Sequence, residues 1–233
     1  MIERNLNRIR SSIREIALRC GRNPDDIRLV AVSKRFPVEA VREAHDAGQI
    51  IFGENYLQEA VVKRKAMHDA IQLHFIGNLQ SNKAKLCADT CDVIETVDRL
   101  KIAAALSRHC QQRARALSIL VQVNIGLDDN KSGVLPDQAE TLLTAIKEMK
   151  QLRLMGLMTM PPYTDDPEDA RPYFRDLRLL AETMKEKGLL GNHGTVELSM
   201  GMSHDYHIAI EEGATLIRIG TAIFGQRPSA NTP

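Results

Sequence analysis

With 233 residues, 43% of them hydrophobic, the chain has material for one large α/β domain or two small ones. Its formal net charge of +1 provides no strong field of the kind that draws nucleic acid or a membrane surface. No stretch is apolar enough to span a bilayer, and the first residues are charged where a secretory signal has an apolar core, so a cytoplasmic location is expected.

An amphipathic helix opens the chain: Leu6, Ile9, Ile13 and Ile16 recur at helical spacing, with Arg and Glu on the other face. After Gly21 and Pro24 comes a short apolar run, Ile27 to Ser33, the pattern of a buried parallel strand. Pro37 then opens a helix that runs to Gly48. The unit repeats. Strands are predicted at Ile50 to Phe52, Leu73 to Ile76, Val93 to Thr96, Ser118 to Asn124, Leu154 to Leu157, Val196 to Leu198 and Leu216 to Ile219. Helices are predicted between them at Leu57 to His68, Lys83 to Ala88, Leu100 to Ala114, Pro136 to Lys150, Glu168 to Lys187 and Tyr206 to Glu212.

Eight strands, each followed by a helix or helical turn, imply parallel βαβ units. They fit a single (β/α)₈ TIM barrel over residues 1–233, preceded by an N-terminal helix and ending in a frayed tail at 227–233. A doubly wound open sheet is the alternative, weakened by the lack of a Gly-rich nucleotide fingerprint after the first strand. Cys20, Cys87, Cys91 and Cys110 lack the paired spacing of zinc or redox motifs and suit ordinary thiols in a reducing compartment.

In such a barrel, functional groups gather at the carboxyl ends of the strands. The first strand ends at Lys34, where apolar surroundings would disfavour the charged form and leave an amine able to attack an aldehyde. The bland alternative is a lysine snorkelling to the rim. The second ends in Phe52-Gly53-Glu54-Asn55-Tyr56 and the third in His74-Phe75-Ile76-Gly77-Asn78-Leu79-Gln80-Ser81-Asn82-Lys83. These amide-rich loops suit ligand contact, with Asn55 as a candidate, but Asn55 or Ser81 could equally cap the next helix. After the fifth strand, Asp128-Asp129-Asn130 lacks the EF-hand spacing of a calcium loop.

The last two units carry more. Leu198-Ser199-Met200-Gly201-Met202-Ser203 and Arg218-Ile219-Gly220-Thr221-Ala222-Ile223-Phe224-Gly225 fall where many barrels cup a phosphate between small residues and hydroxyls. Arg218 lies inside an apolar strand, so it needs a partner: a ligand in the barrel mouth, or a carboxylate such as Glu197. His204 and His207 read as an exposed helix start capped by Ser203 rather than as metal ligands, and no metal is expected.

Together with Leu29 to Lys34, Lys131-Ser132-Gly133 and Gly156-Leu157-Met158, these motifs make the chain resemble, nearly end to end, the pyridoxal phosphate homeostasis proteins. The resemblance implies a barrel similar to the N-terminal domain of alanine racemase. It implies pyridoxal 5′-phosphate as cofactor, held as a Schiff base on Lys34, with Arg218 facing the pyridine nitrogen and phosphate contacts from Ser199, Gly201, Gly220 and Thr221. The implied role is storing, buffering and delivering the cofactor, with pyridoxal phosphate-dependent apo-enzymes as transient partners.

A racemase-like pyridoxal phosphate enzyme is the alternative, and an aldolase-like barrel with a bare Schiff-base lysine is a third reading. Racemisation needs a second acid–base group opposite the lysine. In the related racemases this is a tyrosine from an added β-domain, which is not expected here, and of the four tyrosines only Tyr56 lies near a predicted strand end. An arginine at the ring nitrogen would also weaken the electron sink. A non-catalytic carrier is therefore expected, monomeric, without nucleic-acid or membrane partners.

Overall fold

Eight parallel strands pair neighbour to neighbour and close on themselves, β1 against β8. The computed structural model describes residues 1–226; the tail expected at 227–233 lies outside the described residues. In chain order the elements are α1 (Ile2–Arg19), β1 (Arg28–Val32), α2 (Val38–Asp46), β2 (Ile51–Glu54), α3 (Leu57–Met67), β3 (Gln72–Phe75), α4 (Ala84–Thr90), β4 (Val93–Val97) and α5 (Leu100–Gln112). There follow β5 (Leu117–Gln122), α6 (Pro136–Lys147), β6 (Leu152–Met158), α7 (Arg171–Glu186), β7 (Glu197–Ser199), α8 (Tyr206–Glu211), β8 (Leu216–Ile219) and α9 (Thr221–Phe224). The expected barrel with its leading helix is the fold observed, and the open-sheet alternative falls with the β1–β8 ladder.

Period-two alternation sorts the strand side chains between two apolar layers. Leu29, Ala31, Phe52, Leu73, Phe75, Ile94, Ile119 and Ile217 face outward into the large core under the helices. Val30, Val93, Leu120, Met158 and Leu216 face inward and form a small plug inside the barrel. α1 buries the predicted stripe of Leu6, Ile9, Ile13 and Ile16, packs against α2, α8 and α9, and donates from Asn5 Nδ2 to the Ile223 carbonyl at 2.9 Å.

Most element boundaries differ from the sequence reading by one to three residues. β2 runs on through Gly53 and Glu54 because Gly53 interrupts the apolar run without interrupting the ladder. Where one helix was expected from Glu168, a 3₁₀ turn, Pro167–Ala170, precedes α7. α9 is the helical turn expected after the eighth strand, its four residues too few for a helical period to register. Among the described residues, no helix is long and apolar enough to cross a membrane.

Gly156 shows how tightly the barrel closes. It pairs in register with Glu197, and a Cβ there would stand 1.9 Å from the Glu197 carbonyl oxygen. Neither strand can yield without opening its neighbour. Gly156→Ala is expected to destabilise the protein by about 1–3 kcal/mol or more through forced backbone movement. A lowered midpoint in urea denaturation checks this; an unchanged midpoint contradicts it.

Candidate functional site

Lys34 stands in the turn that carries the chain off β1. The turn spans Ser33 to Phe36, closed by the Phe36 N–H donating to the Ser33 carbonyl at 3.0 Å. Arg35 has φ +64°, while Lys34 does not share a positive φ; this is the pattern of a type II turn, whose third position normally belongs to Gly or Asn. Lys34 is half-buried. Beneath it, Val30 and Val32 face inward with Gly53, where a Cβ would press to 3.0 Å against the Val30 and Ile76 side chains.

β8 runs beside β1 with Val30 opposite Arg218 and Ala31 opposite Ile219. Arg218 shares the inward face with Leu216. It is 3% exposed, and its guanidinium donates to Ser199 Oγ at 2.6 Å and to the Thr159 carbonyl at 2.8 Å. Ser199 donates in turn to Glu95 Oε2 at 2.5 Å, and Glu95 Oε1 lies 2.6 Å from His74 Nδ1. Four strands thus supply one buried chain of polar groups across the barrel interior. Burial lowers the Arg218 pKa from its ordinary value, against the pull of Glu95 and Asp205. Burial also pushes Glu95 up, but His74, Arg218 and Ser199 outweigh it and hold the carboxyl below the usual carboxylate range. An ionised Glu95 only accepts, so His74 Nδ1 carries the hydrogen between them. Among the described residues, His74 Nε2 is left buried without a partner.

This geometry settles several alternatives. Glu197 is not the partner of Arg218; it pairs with Arg28 at 2.5 Å and accepts from Thr215. Ser199, which the resemblance implies as a phosphate contact, is wholly buried, and its hydroxyl is engaged with Glu95 and Arg218. The next hydroxyl on that loop, Ser203, is half-buried at the rim. Gly201 has φ +87°, and a Cβ there would come within 2.5 Å of the Ala209 side chain, so the turn depends on glycine. After β8, Gly220 is half-buried and Thr221 exposed. Asn55 does not cap α3; Tyr56 occupies that position without a side-chain bond, and Asn55 Oδ1 is buried with no partner among the described residues. Ser203 does not cap α8 either: Asp205 stands there, accepting from the Met202 N–H at 2.6 Å.

A cavity of about 350 Å³ opens over the ends of β3, β5, β6 and β7, the half of the mouth away from Lys34. Lys131 lies on its wall, donating to the carbonyls of Met160 at 3.2 Å and Pro161 at 2.5 Å; burial lowers its pKa, opposed by Asp128. Tyr163, 78% exposed and stacked on His204, also lines it, so Tyr56 is not the sole tyrosine near the mouth. Tyr163 follows its strand by five residues, too far for a reading of strand ends to include it. Among the described residues, no group of three or more His, Cys, Asp or Glu side chains is placed to share a metal ion.

Because the folded Glu95 titrates below its unfolded value, its stabilisation is present above about pH 4.3 and lost as pH falls through the folded value. Glu95→Gln removes that acid-sensitive contribution and deprives Arg218 of the larger of its two counter-charges, so a loss of about 3 kcal/mol at pH 7 is expected, with a shallower decline in acid. Denaturation midpoints of parent and variant across this range check both signs.

Residues 4–228 match the family described as alanine racemase, N-terminal domain. The chain is 43% identical over 231 residues to the pyridoxal phosphate homeostasis protein of Vibrio alginolyticus, covering 97% of each. Its fold superposes on the structure of PipY from Synechococcus elongatus with pyridoxal phosphate bound, at a TM-score of 0.83 and 33% identity, covering 97% of this chain and all of that one. Alanine racemase of Clostridium difficile, at 15% identity and a TM-score of 0.74, shares the fold over 58% of its own length. The chain therefore belongs to the alanine racemase N-terminal domain family and, within it, to the pyridoxal phosphate homeostasis proteins.

Proposed function

We propose that this protein binds pyridoxal 5′-phosphate at the β1–β8 side of the barrel mouth and acts as a non-catalytic carrier, storing the cofactor and handing it to apo-enzymes. The observation that carries this reading is one juxtaposition. Lys34 leaves β1 beside the strand that bears the buried Arg218 and is followed by Gly220 and Thr221. The binding named for PipY and the names of the relatives support it.

The donor set fits the cofactor. Thr221, Ser203 and the first amides of α9, which have no acceptor within the helix, form a rim suited to a phosphate. Arg218 supplies the cation at the ring nitrogen. The unpartnered Asn55 Oδ1 is a second polar contact awaiting a donor. When bound, the cofactor supplies an aldehyde that condenses with a neutral lysine amine, losing water. Arg218, ionised and kept so by Glu95, opposes protonation of the ring nitrogen and limits stabilisation of a carbanion.

A second reading, a pyridoxal phosphate enzyme, rests on Tyr163, which lines the cavity across the mouth from Lys34. Its exposure and its stacking on His204 leave it in solvent rather than held for proton transfer.

Borohydride reduction of the loaded protein should fix the cofactor on the peptide containing Lys34; label on Lys131 or Lys83 would move the site. Calorimetry tests the rim. Thr221→Val should weaken pyridoxal phosphate about tenfold, and pyridoxal without its phosphate should bind poorly. Ser199→Ala should cost stability without changing the preference for the phosphorylated form. Equal affinity of the parent for both forms would refute a phosphate rim.

The carrier role is checked separately with an amino-acid panel in deuterated water. No sustained exchange of the α-proton is expected. Multiple turnovers with any amino acid, lost on Tyr163→Phe, would establish the second reading instead.

A further inference from the structure

Resting on Lys34 as the covalent anchor, we propose that Lys63 is a positioning residue for it. Buried on the outer side of the barrel wall, it locks the Ser33–Phe36 turn together with Glu54 and Glu59, so that the Lys34 amine is delivered from a fixed backbone origin.

The buried face of α3 is Leu57, Ala60, Lys63 and Met67, so Lys63 occupies a place where an apolar side chain would complete the stripe. It is 2% exposed. Its ammonium donates to the Ser33 carbonyl at 2.7 Å and to Glu54 Oε1 at 2.5 Å, and lies 3.4 Å from Glu59 Oε2. Ser33 Oγ donates to the same Glu54 oxygen at 2.5 Å. Glu59 Oε2 also accepts the Arg35 N–H at 2.7 Å. The peptide units on both sides of Lys34 are therefore tied to one cluster, on the side of the wall away from the mouth.

Two features separate this from ordinary packing. Burying an ammonium and a carboxylate is costly where apolar groups would serve, and Glu54 Oε2 is still left without a partner. Arg35, neither Gly nor Asn, is held at φ +64°, a strained state that persists only when its surroundings over-determine it. The groups that do so here are Glu59 on its amide and Tyr56, whose ring centroid lies 6.0 Å from the guanidinium. A lysine reaches its target through a flexible stem, so the backbone origin sets where the amine spends its time. Small misplacements of a reacting group carry large kinetic penalties.

The test combines Lys63→Met with Glu54→Gln, which removes both fully buried charges together and leaves the part-exposed Glu59 on the Arg35 amide. Growth of the visible band on mixing with pyridoxal phosphate reads the rate of covalent binding. Calorimetry with pyridoxine 5′-phosphate, which has no aldehyde, reads the rest of the site. The expected result is covalent binding slowed roughly ten- to a hundredfold, with pyridoxine phosphate affinity unchanged. Glu59→Met, which removes the acceptor of the Arg35 amide and the longer contact to Lys63, should slow it less, and Lys63→Arg alone should keep more of the rate than Lys63→Met. A folded double variant that reacts at the parent rate, or one that loses pyridoxine phosphate affinity in proportion, overturns the proposal. If the double variant does not fold, Glu59→Met decides, and a parent-like rate there overturns it. In the parent, borohydride label away from Lys34 would instead mark the failure of the anchor assignment.

Discussion

A guanidinium inside a closed barrel has no water to fall back on, and the upper interior is arranged around that fact. Arg218 is pinned from two sides, by the Thr159 carbonyl after β6 and by Ser199 on β7, and its charge is balanced by Glu95 on β4, itself held by His74 on β3. A set of apolar side chains would fill the same space at less cost in desolvation. The arrangement makes sense if the barrel must present one fixed cation to whatever enters its mouth. The apolar plug below it, Val30, Val93, Leu120, Met158 and Leu216, keeps that cation in a low-dielectric surrounding.

The barrel wall carries a second set of charges on its other side. Glu54 faces outward from β2 to meet Lys63 of α3, while Gly53, one residue earlier, faces inward, where Val30 and Ile76 pack too closely to admit a side chain. A slip of one residue in the β2 register would exchange these two faces and bury the carboxylate in the mouth. The in-register pairs Gly53–His74 and Glu54–Phe75 prevent this, so the inner and outer clusters depend on the same ladder.

The fold was legible because apolar runs of strand length alternate with helical periods along the whole chain. Lys34 and Arg218 were legible because charged residues at such places conflict with their surroundings. Glu95 was not. Every residue from Val93 to Val97 is buried, so the strand reads as a continuous run in which one carboxylate gives no sign of the face it takes. Lys63 was hidden in a different way: a lysine three residues from Ala60 on a helix looks like solvent-facing charge until the packing shows which stripe is covered. Ser199 and Ser203 lie four residues apart on one motif, and sequence alone does not say which hydroxyl turns inward. That choice follows from the alternation along β7, where Leu198 joins the outer core and Ser199 the interior.

The ladder between β1 and β8 joins strands from opposite ends of the sequence. Such a contact has a high loop-closure cost and forms late, after the intervening units have found their places. Emerging from a ribosome, the chain would carry the Lys34 turn almost from the outset, yet the strand bearing Arg218 and the Gly220–Thr221 rim would come last. The mouth would thus be assembled by the same step that seals the barrel. If Lys34 is the anchor proposed above, a partly made chain would hold its amine with nothing beside it to retain an aldehyde, and loading would wait for a finished fold.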